Sequence, residues 1–318
     1  MKIRLSLSVI ALILVLCLTL AVTPGCNKSN TSGINATTST ISTILKAATN
    51  ATYFYYAMTR TGMDSVLNGT GPFTVFVPTD SAFENSGITI SHLIAMTDSA
   101  LRRLVLYETI GANLPSTSVS GPNQKIITAN GDSVFLTNNA NGFYINGIPV
   151  EQADIVAKNG IIQAISNAVT FPPLGNLLHI IQTDTAYVFL SAALNRASMG
   201  TTDLNTMLTS GGPYTLFAPN NLAFQTNGYP DTTTINAANP DSLARILLYH
   251  IVPARMFTSD ISSGQKSITL MDSTILFSSS GSTRQVVGNS NDVPANVLVS
   301  NTMGYNGVLY KIDEVLMP

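Results

Sequence analysis

The apolar positions along this chain follow a pattern that occurs twice. Phe73, Val75 and Val77 fall at every second position, the period of a β-strand, and Pro78 ends the run. Tyr214, Leu216 and Ala218 do the same before Pro219. The next residues, Thr79-Asp80 and Asn220-Asn221, carry side-chain oxygens that accept from the free N–H groups of a starting helix. Phe83 and Phe224 are placed to pack that first turn back on the strand. Further on, Leu101, Leu104 and Val105 fall at i, i+3 and i+4, and so do Leu243, Ile246 and Leu247; each set predicts the apolar face of a helix. A third pair, Asn159-Gly160 and Asn306-Gly307, opens an alternating strand that runs to Val169 in one case and Val315 in the other. Asn-Gly suits a tight hairpin because both residues accept positive φ.

These pairs keep their order. The spacings from 73 to 214, 107 to 249 and 160 to 307 are 141, 142 and 147 residues, so the body is a duplication. Phe171-Pro172-Pro173 is the natural seam, because prolines stop a strand and stiffen a linker. Domains over 39–171 and 172–318 follow. Each copy begins with a helical pair, 40–48 and 53–67 in the first, 174–183 and 186–208 in the second. Short strands come late, near 125–128, 133–137, 143–145 and 160–169, then near 266–269, 274–277, 285–287, 297–300 and 307–315. Helices gathered early and strands late predict an α+β fold, with helices on one side of an antiparallel sheet or sandwich.

The first 26 residues read differently. Lys2 and Arg4 precede an apolar run from Leu5 to Val22, then Thr23-Pro24-Gly25-Cys26 and a polar stretch. This is the layout of a secretory signal. A Gly before a lone Cys resembles the lipobox of bacterial lipoproteins, although Thr23 stands where an apolar residue is usual. The resemblance implies a signal peptide over 1–25, lipidation of the Cys26 thiol, and a membrane held only through acyl chains. Residues 26–38 have little to bury and read as a flexible tether.

Composition narrows the function classes. Charged residues make up 10% of the chain, so Ser, Thr, Asn and Gly must supply the polar surface. Without residues 1–25, 13 basic residues face 17 acidic ones, which excludes the strongly basic face that nucleic acid requires. Both cysteines, Cys17 and Cys26, precede the body, which therefore has no disulfide framework.

Together the repeated motifs resemble the fasciclin (FAS1, beta-Ig-H3) family. Pro-Tyr-Thr-Leu-Phe-Ala-Pro-Asn-Asn-Leu-Ala-Phe at 213–224 is similar to its first signature. Asn-Gly-Val-Leu-Tyr-Lys-Ile-Asp-Glu-Val-Leu-Met-Pro at 306–318 is similar to its second, and Tyr249-His250 to the Tyr-His pair between them. The first copy departs: Glu108 stands where the histidine is expected, and the Asp kept as Asp313 is lost. The resemblance implies two tandem FAS1-like domains, each a β-sandwich wedge with helices packed against it. It also implies a surface-anchored adhesion or matrix role, with surface proteins, matrix or glycans as partners.

Candidate chemistry is sparse. His92, His179 and His250 show no metal-ligand spacing with other ligands, and no cofactor motif occurs. Gly131-Asp132-Ser133 is similar to an esterase nucleophile block, but the Asp-x-x-His partner is missing, so Asn130-Gly131-Asp132 reads as a turn. Asp313-Glu314 reads as a solvated or locally paired charge. The candidate binding residues are Tyr249, His250 and the aromatic run Tyr53, Tyr55 and Tyr56, whose rings combine stacking area with a polar tip. The expectation is therefore a non-enzymatic adhesion protein of the cell envelope, at the outer membrane or cell surface. The alternatives are a glycan-capturing lipoprotein of a polysaccharide-uptake system, or a structural envelope protein without a dedicated ligand.

Overall fold

The computed structural model describes residues 38–318. The expected signal peptide over 1–25, Cys26 and the expected tether up to residue 37 lie outside the described residues. The first repeat opens with α1 (Ile41–Ala47), α2 (Thr52–Arg60) and α3 (Met63–Leu67). The helix expected over 53–67 is thus two, because Gly62 takes a left-handed φ of 70°. Then come β1 (Phe73–Pro78), α4 (Asp80–Asn85), α5 (Ile90–Ala95), α6 (Asp98–Tyr107) and β2 (Thr109–Ile110). The strands β3 (Gly121–Ile127), β4 (Ser133–Asn139), β5 (Gly142–Ile145), β6 (Ile148–Ala157) and β7 (Gly160–Ile165) complete it.

The second repeat follows the same order. It has α7 (Leu177–Thr183), α8 (Val188–Ala197), α9 (Leu204–Ser210), β8 (Tyr214–Pro219), α10 (Asn221–Thr226), α11 (Thr232–Ala237), α12 (Pro240–Tyr249) and β9 (Ile251–Val252). After them come β10 (Lys266–Ile268), β11 (Thr274–Ser280), β12 (Thr283–Val287), β13 (Ala295–Gly304) and β14 (Gly307–Ile312). Here the expected helix over 186–208 is divided between α8 and α9, and the Asp203 carboxylate accepts from Thr206 N–H to start α9.

Each repeat builds one hydrogen-bonded sheet, ordered β2-β1-β7-β6-β5-β4-β3 and β10-β11-β12-β13-β14-β8-β9. Most neighbours are antiparallel, but the central pairs β1–β7 and β8–β14 are parallel, which differs from the all-antiparallel expectation. The intervening helices make those parallel crossovers possible. The sequence pattern does not show β6, because Pro149 and the polar residues Glu151, Gln152 and Asp154 interrupt alternation. The strand forms nonetheless, with register shifts at Val150/Gln152 and Gln152/Ile155 and a φ of 60° at Asp154. Asn301 takes the same φ in β13, whose register also shifts. Such bulges bend a strand. The first part of β6 pairs with β5 and the rest with β7, so the sheet folds over into the two layers of a wedge.

The central strands are buried on both faces. Val75 and Val77 meet the helices, in a core with Phe83, Leu101, Leu104 and Val105. Phe76 points the other way, into the wedge, with Tyr107, Leu136, Phe143 and Ile165. In the second repeat Leu216 and Ala218 face the helices, while Phe217 stacks on Tyr310 at 5.3 Å inside the wedge. Full burial of each such side chain contributes about 1.5–3 kcal/mol, so the two cores on one strand anchor each repeat.

The polar motif residues prove to be joints. Thr79 and Asn220 cap α4 and α10, accepting from Ala82 N–H and Ala223 N–H. The residue after each of them reaches a different helix. Asp80 accepts from Tyr53 N–H at 2.8 Å, and Asn221 from Phe189 N–H at 3.1 Å. Asn159 accepts from Ile41 N–H and donates to Leu67 O and Gly69 O. Asn306 repeats this with Leu177, Leu208 and Gly211. Neither asparagine has the positive φ expected of its hairpin; Asn146-Gly147, between β5 and β6, has it at both positions. The strands after the Asn-Gly pairs end at Ile165 and Ile312, earlier than expected. Asp313 is therefore off the strand, its carboxylate accepting from the backbone N–H and the side-chain amide of Asn296.

Candidate functional site

Tyr249 and His250 end α12, where the chain turns into β9. Both are fully buried. The Tyr249 hydroxyl donates to Thr274 O at 2.6 Å and accepts from Asn289 N–H at 2.9 Å. The His250 ring spans two segments: Nδ1 lies 2.8 Å from Ile246 O, and Nε2 accepts from Leu316 N–H at 2.8 Å. An accepting Nε2 places the proton on Nδ1, so the ring is neutral and ties α12 to the chain end. Burial lowers its pKa to about 4. Neither residue presents a surface to a ligand, so their motif serves the interior.

Glu108 occupies the equivalent place in the first repeat. Its carboxyl is fully buried; Oε1 accepts from the Thr170 hydroxyl, and Oε2 has no hydrogen-bond partner. Burial without a counter-charge pushes its pKa up to about 8, against opposing hydrogen bonds from Thr170. Where the second repeat uses a neutral imidazole, the first therefore uses a carboxyl that is mostly protonated at neutral pH. Its partner, Thr170, follows β7 and directly precedes Phe171-Pro172-Pro173.

The aromatic run on α2 does not make a platform. Tyr53, Tyr55 and Tyr56 are all half-buried and pack against the helical core. Tyr53 leans on Phe83 at 5.9 Å and donates to Glu84 at 3.2 Å, while the Tyr56 hydroxyl accepts from Arg60. A helical turn of 3.6 residues spreads these rings round the cylinder.

Sequence reasoning missed the seam, where the two repeats pack into one compact unit. Phe135 of β4 meets Phe257 at 5.9 Å, and the Arg255 guanidinium lies 4.3 Å above the Phe135 ring. Asn123 donates to Asp260 at 2.8 Å and to Arg255 O at 3.2 Å. The Thr258 hydroxyl donates to Gly147 O at 3.0 Å, and Gly147 approaches so closely that an added Cβ would stand 2.7 Å from that of Phe257. Arg103 reaches Pro173 O at 2.8 Å, which fixes the linker. Register explains the missed signal. The first-repeat counterparts of Arg255, Phe257 and Asp260 are Asn113, Pro115 and Ser118, so comparing the copies hides the contact.

Two clefts flank the seam. One, of 640 Å³, has apolar walls from Ile148, Phe171, Pro172 and Leu174, with Arg284 and His179 at its rim. The other, of 550 Å³, is lined by Lys125, Asp132, Phe135, Arg255 and Tyr305. Among the described residues no group of His, Cys, Asp or Glu side chains is placed to hold a metal ion.

A bulged mixed sheet folded into a wedge, capped by helices and present twice, defines the class: a tandem pair of one α+β module. The family model for the Fasciclin domain matches residues 49–170 and 191–318, and the chain belongs to that family. It is 26% identical over 265 residues to transforming growth factor-beta-induced protein ig-h3 of Sus scrofa, covering 79% of this chain and 35% of that protein. It is 26% identical to periostin of Homo sapiens, covering 79% of this chain and 29% of that protein. Protein sll1483 of Synechocystis sp. is 29% identical over 146 residues, covering 43% of this chain and 76% of that protein. The chain thus spans about a third of the length of the ig-h3 proteins it matches. A solved structure of a FAS1 domain pair from the insect cell adhesion molecule Fasciclin I is 18% identical, with a TM-score of 0.41, covering 83% of this chain and 96% of that one.

Proposed function

We propose that this chain is an exported, envelope-anchored adhesion or binding protein whose contact surface is the 640 Å³ cleft between its fasciclin domains. The observation that carries this reading is the seam itself. Aromatic, cation–π and hydrogen-bonded contacts hold the domains in one arrangement, and the cleft beside them keeps Phe171 at 40% and Leu174 at 77% exposure. A concave site with apolar walls and a few polar groups at a domain junction is the usual form of a binding pocket. The role in adhesion rests on family membership, and fold-level analogy alone supports it. Tyr249 and His250 are given to the interior, and Tyr53, Tyr55 and Tyr56 yield to the cleft as the contact surface. Lipidation at Cys26 and the tether over 26–38 belong to the same proposal, as does placement at the outer membrane or cell surface.

The test combines anchoring and contact. Wild type and Cys26→Ala are labelled with a clickable palmitate, and intact cells are shaved with protease. Label confined to the wild type, with cleavage from outside, supports the anchor. Cells displaying wild type or Leu174→Asp are then compared for self-aggregation and for attachment to glycan- and protein-coated surfaces. Equal attachment by both would remove the cleft from the proposal, and unlabelled wild type would remove the anchor.

A further inference from the structure

The smaller cleft, of 550 Å³, lies at the same seam but has different chemistry. Lys125 of β3 is the direct cross-strand partner of Phe135 in β4, and strand partners project to the same face. The Arg255 guanidinium covers that Phe135 ring from the second repeat, at 4.3 Å. Lys125 and Arg255 thus both line this cleft, with Arg255 directly over the ring.

Among the described residues neither is in an ion pair. The ion pairs among the described residues are Arg60–Asp98 and Arg103–Asp132. Asp132 also lines the cleft; its Oδ2 is paired with Arg103 and accepts from the Asn130 amide. Arg255 is half-buried and donates only to neutral groups: Gly307 O at 2.7 Å, Tyr305 O at 3.1 Å, Gly304 O at 3.4 Å and the Met303 sulfur at 3.6 Å. Loss of hydration lowers its pKa to about 10. Desolvated charges are ordinarily paired, so Arg255 is a cation without an ion-pair partner, and Lys125 lines the same cleft. The remaining walls mix Pro173, Pro213 and Met303 with the hydroxyls of Ser133 and Ser210, and Tyr305 is 57% exposed.

We infer that this cleft binds the carboxylate of an acidic sugar, with Lys125 and Arg255 as its cationic partners and Tyr305 as the face on which the sugar ring stacks. A guanidinium matches the planar carboxylate, and an ammonium adds a point charge. The exposed aromatic ring and the neutral hydroxyls favour a sugar over an acidic peptide, which would need further cations for its successive carboxylates. The site is separate from the 640 Å³ cleft, and its test is independent of anchoring or adhesion.

The experiment is calorimetric titration of the body, residues 38–318 as one chain, at low ionic strength. The probes are digalacturonate, the neutral disaccharide lactose, inorganic phosphate and triglutamate. Saturable binding of digalacturonate, without comparable binding of the other three, is expected. Lys125→Gln and Tyr305→Ala, both at exposed positions, are each expected to weaken it about tenfold while leaving the thermal midpoint unchanged. Absence of digalacturonate binding overturns the inference, as does equal affinity for lactose, phosphate or triglutamate. Digalacturonate binding that survives both substitutions places the site elsewhere and overturns it equally.

Discussion

Replacing Glu108 with Gln removes a proton-binding group at the base of the linker. An unfolded glutamate titrates near 4.5, whereas this buried one titrates near 8. Between those values the unfolded chain gives up its proton while the folded chain keeps it. The folded state then binds more protons, and stability falls as pH rises. The contribution is complete below 4.5 and gone once pH has passed about 8. At ~1.4 kcal/mol per pH unit, that interval amounts to roughly 5 kcal/mol. Domain stabilities are themselves only about 5–15 kcal/mol, so the first repeat is expected to weaken markedly toward alkaline pH. Gln keeps an oxygen to accept from Thr170 and cannot ionise. Urea unfolding followed by circular dichroism, in pH steps from 5 to 9, measures the difference between wild type and Glu108→Gln. The wild-type midpoint should fall across the range relative to the variant, whose first transition should stay flat. The variant should be the more stable protein at pH 9. Parallel pH profiles would refute the reasoning, because they would show that the Glu108 carboxyl is as free to ionise in the fold as outside it.

His250 predicts the opposite sign in the second repeat. Its folded pKa of about 4 lies below the ordinary 6.5, so its contribution is present above 6.5 and lost as pH falls toward 4; roughly 3 kcal/mol should disappear, and His250→Gln should flatten that acid limb in the same unfolding assay. Asn159→Ala strips partners from Ile41 N–H, Leu67 O and Gly69 O at once and should cost about 2–4 kcal/mol in urea unfolding; a loss below 1 kcal/mol would mean that water replaces the amide. Gly147→Ala adds a Cβ at a φ of 76° and 2.7 Å from Phe257, so it should open the seam, seen as a larger radius of gyration by small-angle scattering and faster proteolysis within 166–176; unchanged scattering would show that the seam does not depend on that close approach.

Much of the fold was legible because local chemistry and tertiary role coincide. The prolines after β1 and β8, the caps Thr79 and Asn220 and the stripes on α6 and α12 act within one element or its neighbour, so period and residue type reveal them. β6 was not legible. Its bulge at Asp154 breaks the period of two that reveals strands, and the strand persists because both its neighbours supply ladder hydrogen bonds. The same holds for Asp80 and Asn221, whose motif position suggests a cap but whose bonds close helices 27 and 32 residues away.

By itself, the sequence determined that the body is a duplicated α+β module and which residues start several of its main helices and strands. These follow from periodicity and capping, which depend on neighbours in the chain. Tertiary structure decided that Tyr249 and His250 are interior joints, that Glu108 is a buried acid, and that Phe135, Arg255 and Gly147 make a seam with a cleft on either side. Burial and charge pairing depend on what surrounds a residue in space, and the seam residues differ between the copies, so no internal repetition could mark them.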